Sequence, residues 1–470
     1  MGKWLCAMGM AVCLSLSSCL LNTPDHTETV TLSDRVSELV NNLMPKVEEY
    51  RGHSFTRPVL ARTISLEEYQ ANTLDGSQGD TQDTSDLFFN REFFQLGFTR
   101  DSNYNIEEEA EEFYSTSVAG YYAPGTDTFV VIIGANEPTS EEWERFSSIA
   151  FHELVHALQD QVLDPFSDIA SSVQNAETQL DFLLARRMLI EGDAEFNQAR
   201  YDGVLEDVLQ QKEMALTLEF LAGLEDFQKS FYLPYQFWVP YLIGPSFVNS
   251  LYLEDNDWGA VDSLFSDTRL STAEVITGEK VTYRQFPADK LRSLLQEDSA
   301  VYYDDVNLGV INIFSLLNQR ISQEMAMEAI GWNGDHLLFV NNSLTSDGRF
   351  VWCLSFTSES WADTLYSLLE QHLLGRVSSH SWTKIGVDST DADGLFYRNY
   401  SNTMSKASLV KNRTEIYWFE NVEDMMVELI AALRENNLTV LSKKAVTHRN
   451  KSGFNRLRHD IIYSPILNNK

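Results

Sequence analysis

Between Phe146 and Leu158 apolar residues run nearly all round a helical wheel, broken only by two serines and by His152, Glu153 and His156. That texture predicts a buried helix. Pro138-Thr139-Ser140-Glu141-Glu142 marks its start, with Thr139 capping and Glu142 closing a capping box, and Asp164-Pro165 marks its end. We place this helix over 140–162. A second long helix is expected over 172–202, with Leu180, Leu183, Leu184 and Met188 on one side and Glu191 on the same rows. Gly192 in its middle costs roughly 1 kcal/mol against alanine, so it calls for a reason such as a close backbone neighbour. Upstream, a helix capped by Ser33 runs to about Tyr50, with Val36, Leu39, Val40, Leu43, Met44 and Val47 on one side. Pro45 predicts a kink in it or an earlier end. A strand follows near 58–64, a polar loop over 72–85, and two short strands around Pro124-Gly125 within 121–133.

Residues 204–330 read as mostly helical. The run 234–245 is apolar and aromatic but too interrupted by proline to span a bilayer, which makes it a buried core helix. A short helix should begin at Trp258, and Leu270-Ser271-Thr272-Ala273-Glu274 resembles another capped start. Strands are then expected at 336–340 and 349–356, a helix at 358–373, strands at 407–410 and 414–419, and a helix at 421–433. This strand-strand-helix unit, appearing twice, predicts a small α+β domain over 331–436, followed by a polar tail over 437–470 that is basic from Lys443 to Arg458. The fold class is therefore α+β, mainly helical.

The 470 residues suffice for two or three domains' worth of core, and the net charge of −34 argues against a nucleic-acid partner, which needs clustered Lys and Arg. Lys3 followed by the apolar run 4–16 reads as a targeting segment. Leu16-Ser17-Ser18-Cys19 resembles a bacterial lipobox. On that reading residues 1–18 are a signal peptide, Cys19 carries the lipid, residues 19–32 are a tether, and the protein sits in the cell envelope outside the cytoplasm. Cys6 and Cys13 would leave with the signal peptide, so Cys353 remains alone and neither an intrachain disulfide nor a multi-cysteine zinc site is expected.

His-Glu-x-x-His at 152–156 changes the picture most. On a helix His152 and His156 stack on one face and can point both imidazoles at one metal ion, with Glu153 offset by about 100° and free to deprotonate a water there. A catalytic zinc site has three protein ligands. The other histidines, His26, His53, His336, His372, His380, His448 and His459, sit in no motif-like context. Glu191, 35 positions after His156 on a facing helix, is the best third ligand.

This is the arrangement of the gluzincins, the thermolysin-like zinc peptidases. His-Glu-Leu-Val-His-Ala-Leu-Gln-Asp-Gln at 152–161 with Glu-Gly-Asp-Ala at 191–194 resembles largely uncharacterised bacterial and archaeal secreted or lipoprotein gluzincin-like proteins. Gly120-Tyr121-Tyr122, Tyr241-x-x-Gly244-x-x-Phe247, 270–274 and Gly331-Trp332-Asn333-Gly334-Asp335 are also similar to that group, so the likeness covers about 118–375. Two departures are the missing His after Val275-Ile276 and Asn333 where a second Gly is usual. The resemblance implies a zincin-like core over 33–330, one zinc ion held by His152, His156 and Glu191, and Glu153 as general base. It further implies Glu195, or its rival Asp193, as the acid behind a ligand imidazole. In such proteases an exposed strand beside the motif helix pairs with extended substrate; an ordinary core hairpin is the other reading of 121–133. A donor for the developing oxyanion is also needed, and Tyr241, Tyr235 and Tyr201 are the candidates. The expected activity is a lipid-anchored zinc endopeptidase acting on a peptide or protein; the alternative is a non-catalytic zinc-containing envelope lipoprotein that serves in binding or assembly.

Overall fold

The computed structural model describes residues 31–75, 84–133, 138–166, 180–210, 230, 232–255, 257–266, 270–295, 302–321, 327–376 and 381–435. The signal segment with Cys19, the tether up to residue 30, the first eight residues expected in the second long helix and the 437–470 tail lie outside them. The described chain is α+β.

Helix α1 (Leu32–Arg51) is capped by Thr31, not by Ser33, and the box is closed by Asp34, whose carboxylate accepts from Thr31 N at 2.9 Å. The reason lies in spacing: the box needs an acid three residues beyond the cap, and Ser33 is followed at that distance by Val36. Val36, Val40, Leu43 and Val47 form the buried stripe. Pro45 lies on the exposed side, where water can satisfy the carbonyl it leaves unbonded, and the helix runs on past it. Strand β1 (Leu60–Ser65), helix α2 (Leu66–Asp75), helix α3 (Thr84–Leu96), helix α4 (Ile106–Ser117), strand β2 (Gly120–Ala123) and strand β3 (Thr128–Ile133) follow. The loop expected over 72–85 is thus helical at both ends. β3 pairs in parallel with β1 and antiparallel with β2, giving the order β1-β3-β2.

Helix α5 (Ser140–Val162) has the limits its pattern predicted; the side chain of Glu142 in the expected capping box is outside the described residues. It ends where Leu163 N and Asp164 N both reach the Gln159 carbonyl and Asp164 takes φ 46°. Phe151, Leu154, Val155 and Leu158 pack with α1 and with Tyr122, Phe129 and Val131 of the small sheet. Helix α6 (Leu180–Asp202) is buried on nearly every side. After α7 (Leu205–Gln210) comes helix α8 (Tyr232–Asp255), where Leu233, Tyr235, Val239 and Ile243 are core as expected. Among the described residues no helix is long and apolar enough to cross a membrane. α6 and α8 cross at Gly192 and Gly244. A Cβ on Gly192 would lie 2.4 Å from the Gly244 carbonyl carbon, and one on Gly244 would lie 2.3 Å from the Met188 carbonyl oxygen. The mid-helix glycine therefore meets the close backbone it called for.

Helices α9 (Gly259–Phe265), α10 (Thr272–Thr277) and α11 (Ala288–Leu295) lead to strand β4 (Tyr302–Val306) and helix α12 (Gly309–Asn318). Ser271 and Glu274 form the capping box of α10. A 3-10 turn (Met327–Gly331) precedes β5 (Trp332–Asn341), β6 (Arg349–Phe356), helix α13 (Glu359–Gly375), β7 (Thr383–Thr390), β8 (Phe396–Ser401), β9 (Lys406–Asn412), β10 (Glu415–Glu420) and helix α14 (Met426–Glu435). Both expected strand-strand-helix units are present, β5-β6-α13 and β9-β10-α14, with β7 and β8 between them. The strands make one antiparallel sheet in the order β4-β5-β6-β10-β9-β8-β7. Its first strand comes from the region read as helical, so a division at residue 330 would cut the sheet. Phe350, Trp352 and Leu354 pack on the main core, while Val351 and Cys353 join the cluster beneath α11 and α14. Cys353 is buried and unpaired.

Candidate metal centre

Two helices supply the centre. His152 and His156 stack one turn apart on α5, and Glu191 faces them from α6. All three are buried, and their ligand atoms lie close enough together to hold one metal ion. His152 Nε2 and His156 Nε2 are 3.1 Å apart, and Glu191 Oε2 is 3.4 Å and 3.2 Å from them. Glu191's other oxygen faces Arg187, one turn earlier, at 3.8 Å. Arg187 is placed in turn by proline chemistry. Pro240 inside α8 cannot bond the Gln236 carbonyl, and Arg187 Nη1 donates to it at 3.2 Å.

Each imidazole has an amide behind it. His156 Nδ1 faces Gln159 Oε1 at 2.9 Å, and His152 Nδ1 faces Gln198 Oε1 at 2.8 Å. Glu195, the expected acid, is 3.6 Å from His152 Nδ1, an ion-pair distance beyond hydrogen-bond reach. Asp193 does not face a histidine. It accepts from Gln159 Nε2 at 2.8 Å, from Arg51 Nε at 2.8 Å and from Asn197 Nδ2 at 3.0 Å. Its link to His156 thus runs through Gln159. Neither Gln159 nor Gln198 was singled out in the sequence, although helical spacing carried a signal: Gln159 follows His156 by three residues, and Gln198 follows Glu191 by seven.

Glu153 is buried beside both histidines, and its carboxylate accepts from Tyr122 N of the small sheet at 2.8 Å. β2 is the outer strand, but its residues are buried, and at Tyr122 the edge is taken by this bond. The next residues of the motif continue the fastening. Asp160 accepts from Tyr122 OH at 2.7 Å and Gly125 N at 3.1 Å, and Gln161 accepts from Thr56 N and Arg57 N. Of the three tyrosines considered, the structure brings one to the centre. The Tyr241 ring stacks near His152 with centroids 5.9 Å apart. The Tyr235 hydroxyl is taken by Asn318, and Tyr201 stacks on Phe151.

The electrostatics favour a cation. Burial alone would raise the Glu191 carboxyl, yet His156 and His152 hold it well below the ordinary range. Burial opposes charge on the imidazoles, but Glu191 outweighs it and pushes His152 up to about 9 and His156 upward as well. Burial raises Glu153 and Glu195, and it raises the Tyr241 phenol well above its usual value with Glu191 adding to the effect. Two imidazole nitrogens and a carboxylate converging in a dry site are costly unless a positive charge joins them.

Family models, curated proteins and solved structures give no match to this chain.

Proposed function

We propose that the protein is a zinc-dependent endopeptidase of gluzincin type, anchored by lipid outside the cytoplasm. The observation that carries the reading is the donor triangle. Donors held tetrahedrally at about 2.0–2.1 Å from an ion lie roughly 3.3 Å from one another, and the edges here are 3.1, 3.2 and 3.4 Å. Two imidazoles with one carboxylate suit zinc, whereas calcium and magnesium favour all-oxygen sets. Three protein donors among the described residues is the count of catalytic sites, and four that of structural ones.

His152, His156 and Glu191 would hold the ion. When bound, zinc supplies Lewis acidity to a water and to the scissile carbonyl. Glu153, buried beside both histidines, takes the proton from the attacking water and hands it to the leaving amine. Tyr122 N steadies its carboxylate in the meantime. Tyr241, kept protonated by burial, donates toward the carbonyl oxygen as charge builds there.

The test is a digest of a broad peptide library by the purified protein, with and without chelator, alongside metal analysis. Wild type should contain about one zinc per chain and cleave, and chelator should stop cleavage. Glu153→Gln should keep the zinc and lose cleavage by at least about 100-fold. Undiminished turnover by this variant would remove Glu153 from its role, and zinc absent from the wild type would remove the whole reading.

A further inference from the structure

We propose that Gln159 and Gln198 accept the Nδ1 protons of the two ligand imidazoles and so orient Nε2 of each toward a metal ion shared with Glu191. The inference rests on the metal reading above but not on peptidase activity. An amide can present either end to a histidine, and here both orientations are settled from behind. Gln159 Nε2 donates to the Ile190 carbonyl at 3.1 Å and to Asp193 Oδ2 at 2.8 Å, two groups that can only accept. Its oxygen must therefore face His156, whose Nδ1 carries the proton. Arg51, buried at the end of α1, holds the Asp193 carboxylate at 2.8 Å and keeps that end of the relay fixed.

The second relay has the same logic with different parts. Ser148 donates its hydroxyl to Asp202 at 2.5 Å, so it has only lone pairs left for Gln198 Nε2, which reaches it at 2.7 Å. The Gln198 oxygen then accepts from His152 Nδ1 at 2.8 Å. Neutral amides thus occupy both places where a carboxylate would be the stronger acceptor. Among the described residues a reserve acceptor stands by one of them, Glu195 at 3.6 Å from the same His152 nitrogen.

This asymmetry makes the proposal testable. The probe is zinc alone, its affinity measured by competition with a chelator, and each metal-free variant is melted as a control for folding. Gln198→Glu offers a stronger acceptor and should bind zinc at least as tightly as wild type. Gln198→Leu should lose a few-fold because Glu195 moves in. Gln198→Leu with Glu195→Gln should lose on the order of 10- to 100-fold, and so should Gln159→Leu. The rank order, with metal-free melting temperatures of the Gln198 series alike, is the expected result. Equal affinities across the series while the wild type binds zinc would overturn the proposal and leave the metal site standing. Affinities that only follow the melting temperatures would reduce both amides to packing and overturn it equally. A wild type that binds no zinc would overturn the metal reading instead.

Discussion

Glu191 divides its two oxygens between tasks, one turned to Arg187 and one to the imidazole pair. The donor triangle was legible in the sequence because it needs little beyond helix geometry: a four-residue interval on one rod and a carboxylate on the next. The residues behind it were not, because an amide declares its role only through what surrounds it. Gln159 and Gln198 carry no charge to draw notice, and Glu195 and Asp193 drew it instead. A different buried histidine shows what isolation does. His372 on α13 is enclosed, its Nε2 donates to the Leu96 carbonyl at 2.9 Å, and Arg320 and Arg376 lie nearby. Burial first, then the two guanidiniums, push its pKa well below 6.5. The folded state keeps it neutral while the unfolded chain takes up a proton below about pH 6.5, so stability is full above that pH and falls as the pH drops. The fall should approach roughly 1.4 kcal/mol per pH unit for this group. Urea unfolding at several pH values should show the slope in wild type and lose that share of it in His372→Gln, whose amide N–H can still serve Leu96; parallel curves would refute the assignment.

Among elements, the crossing of α6 and α8 governs the centre from outside it. Gly244 lies one turn after Tyr241, and Gly192 directly follows Glu191, so the same contact that brings the backbones together also seats a ligand and the tyrosine. Gly244→Ala must push the helices apart against the Met188 carbonyl. Overpacking of this kind costs about 1–3 kcal/mol. Urea unfolding should record that loss, and zinc affinity should fall with it; an alanine variant as stable as wild type would mean the helices part without strain. The close approach was readable from one glycine in a helical pattern. β7 was not readable, because alternation appears only where one face is buried, and every residue of β7 is exposed. β4 was hidden for another reason: Tyr303, Asp304 and Asp305 give it a polar look, although Asp304 is buried.

For the whole molecule, the acidic balance was plain from composition, and the described part is α+β as expected. The shared sheet was not, because sequence periodicity reports the strands and not their neighbours. Attachment is a property of the full chain, and Lys3, the apolar run 4–16 and Cys19 support the proposed anchor. Growth with a labelled fatty acid in a bacterial host should mark the wild-type protein and bring it down with membranes, whereas Cys19→Ser should be unlabelled. Label retained by that variant would place the anchor elsewhere.

The long sheet ends on β7, and its rim is not a plain ribbon. Gly386 takes φ 71°, the register against β8 shifts between Ile385 and Ser389, and Lys384 pairs with Asp388 at 2.5 Å. An irregular, charged margin makes a poor template for another extended chain, even with Ile385 and Val387 open to water. Straightened and stripped of its charges, the same eight residues would offer unclaimed amides to any strand that drifted by, and polymerisation would compete with solubility.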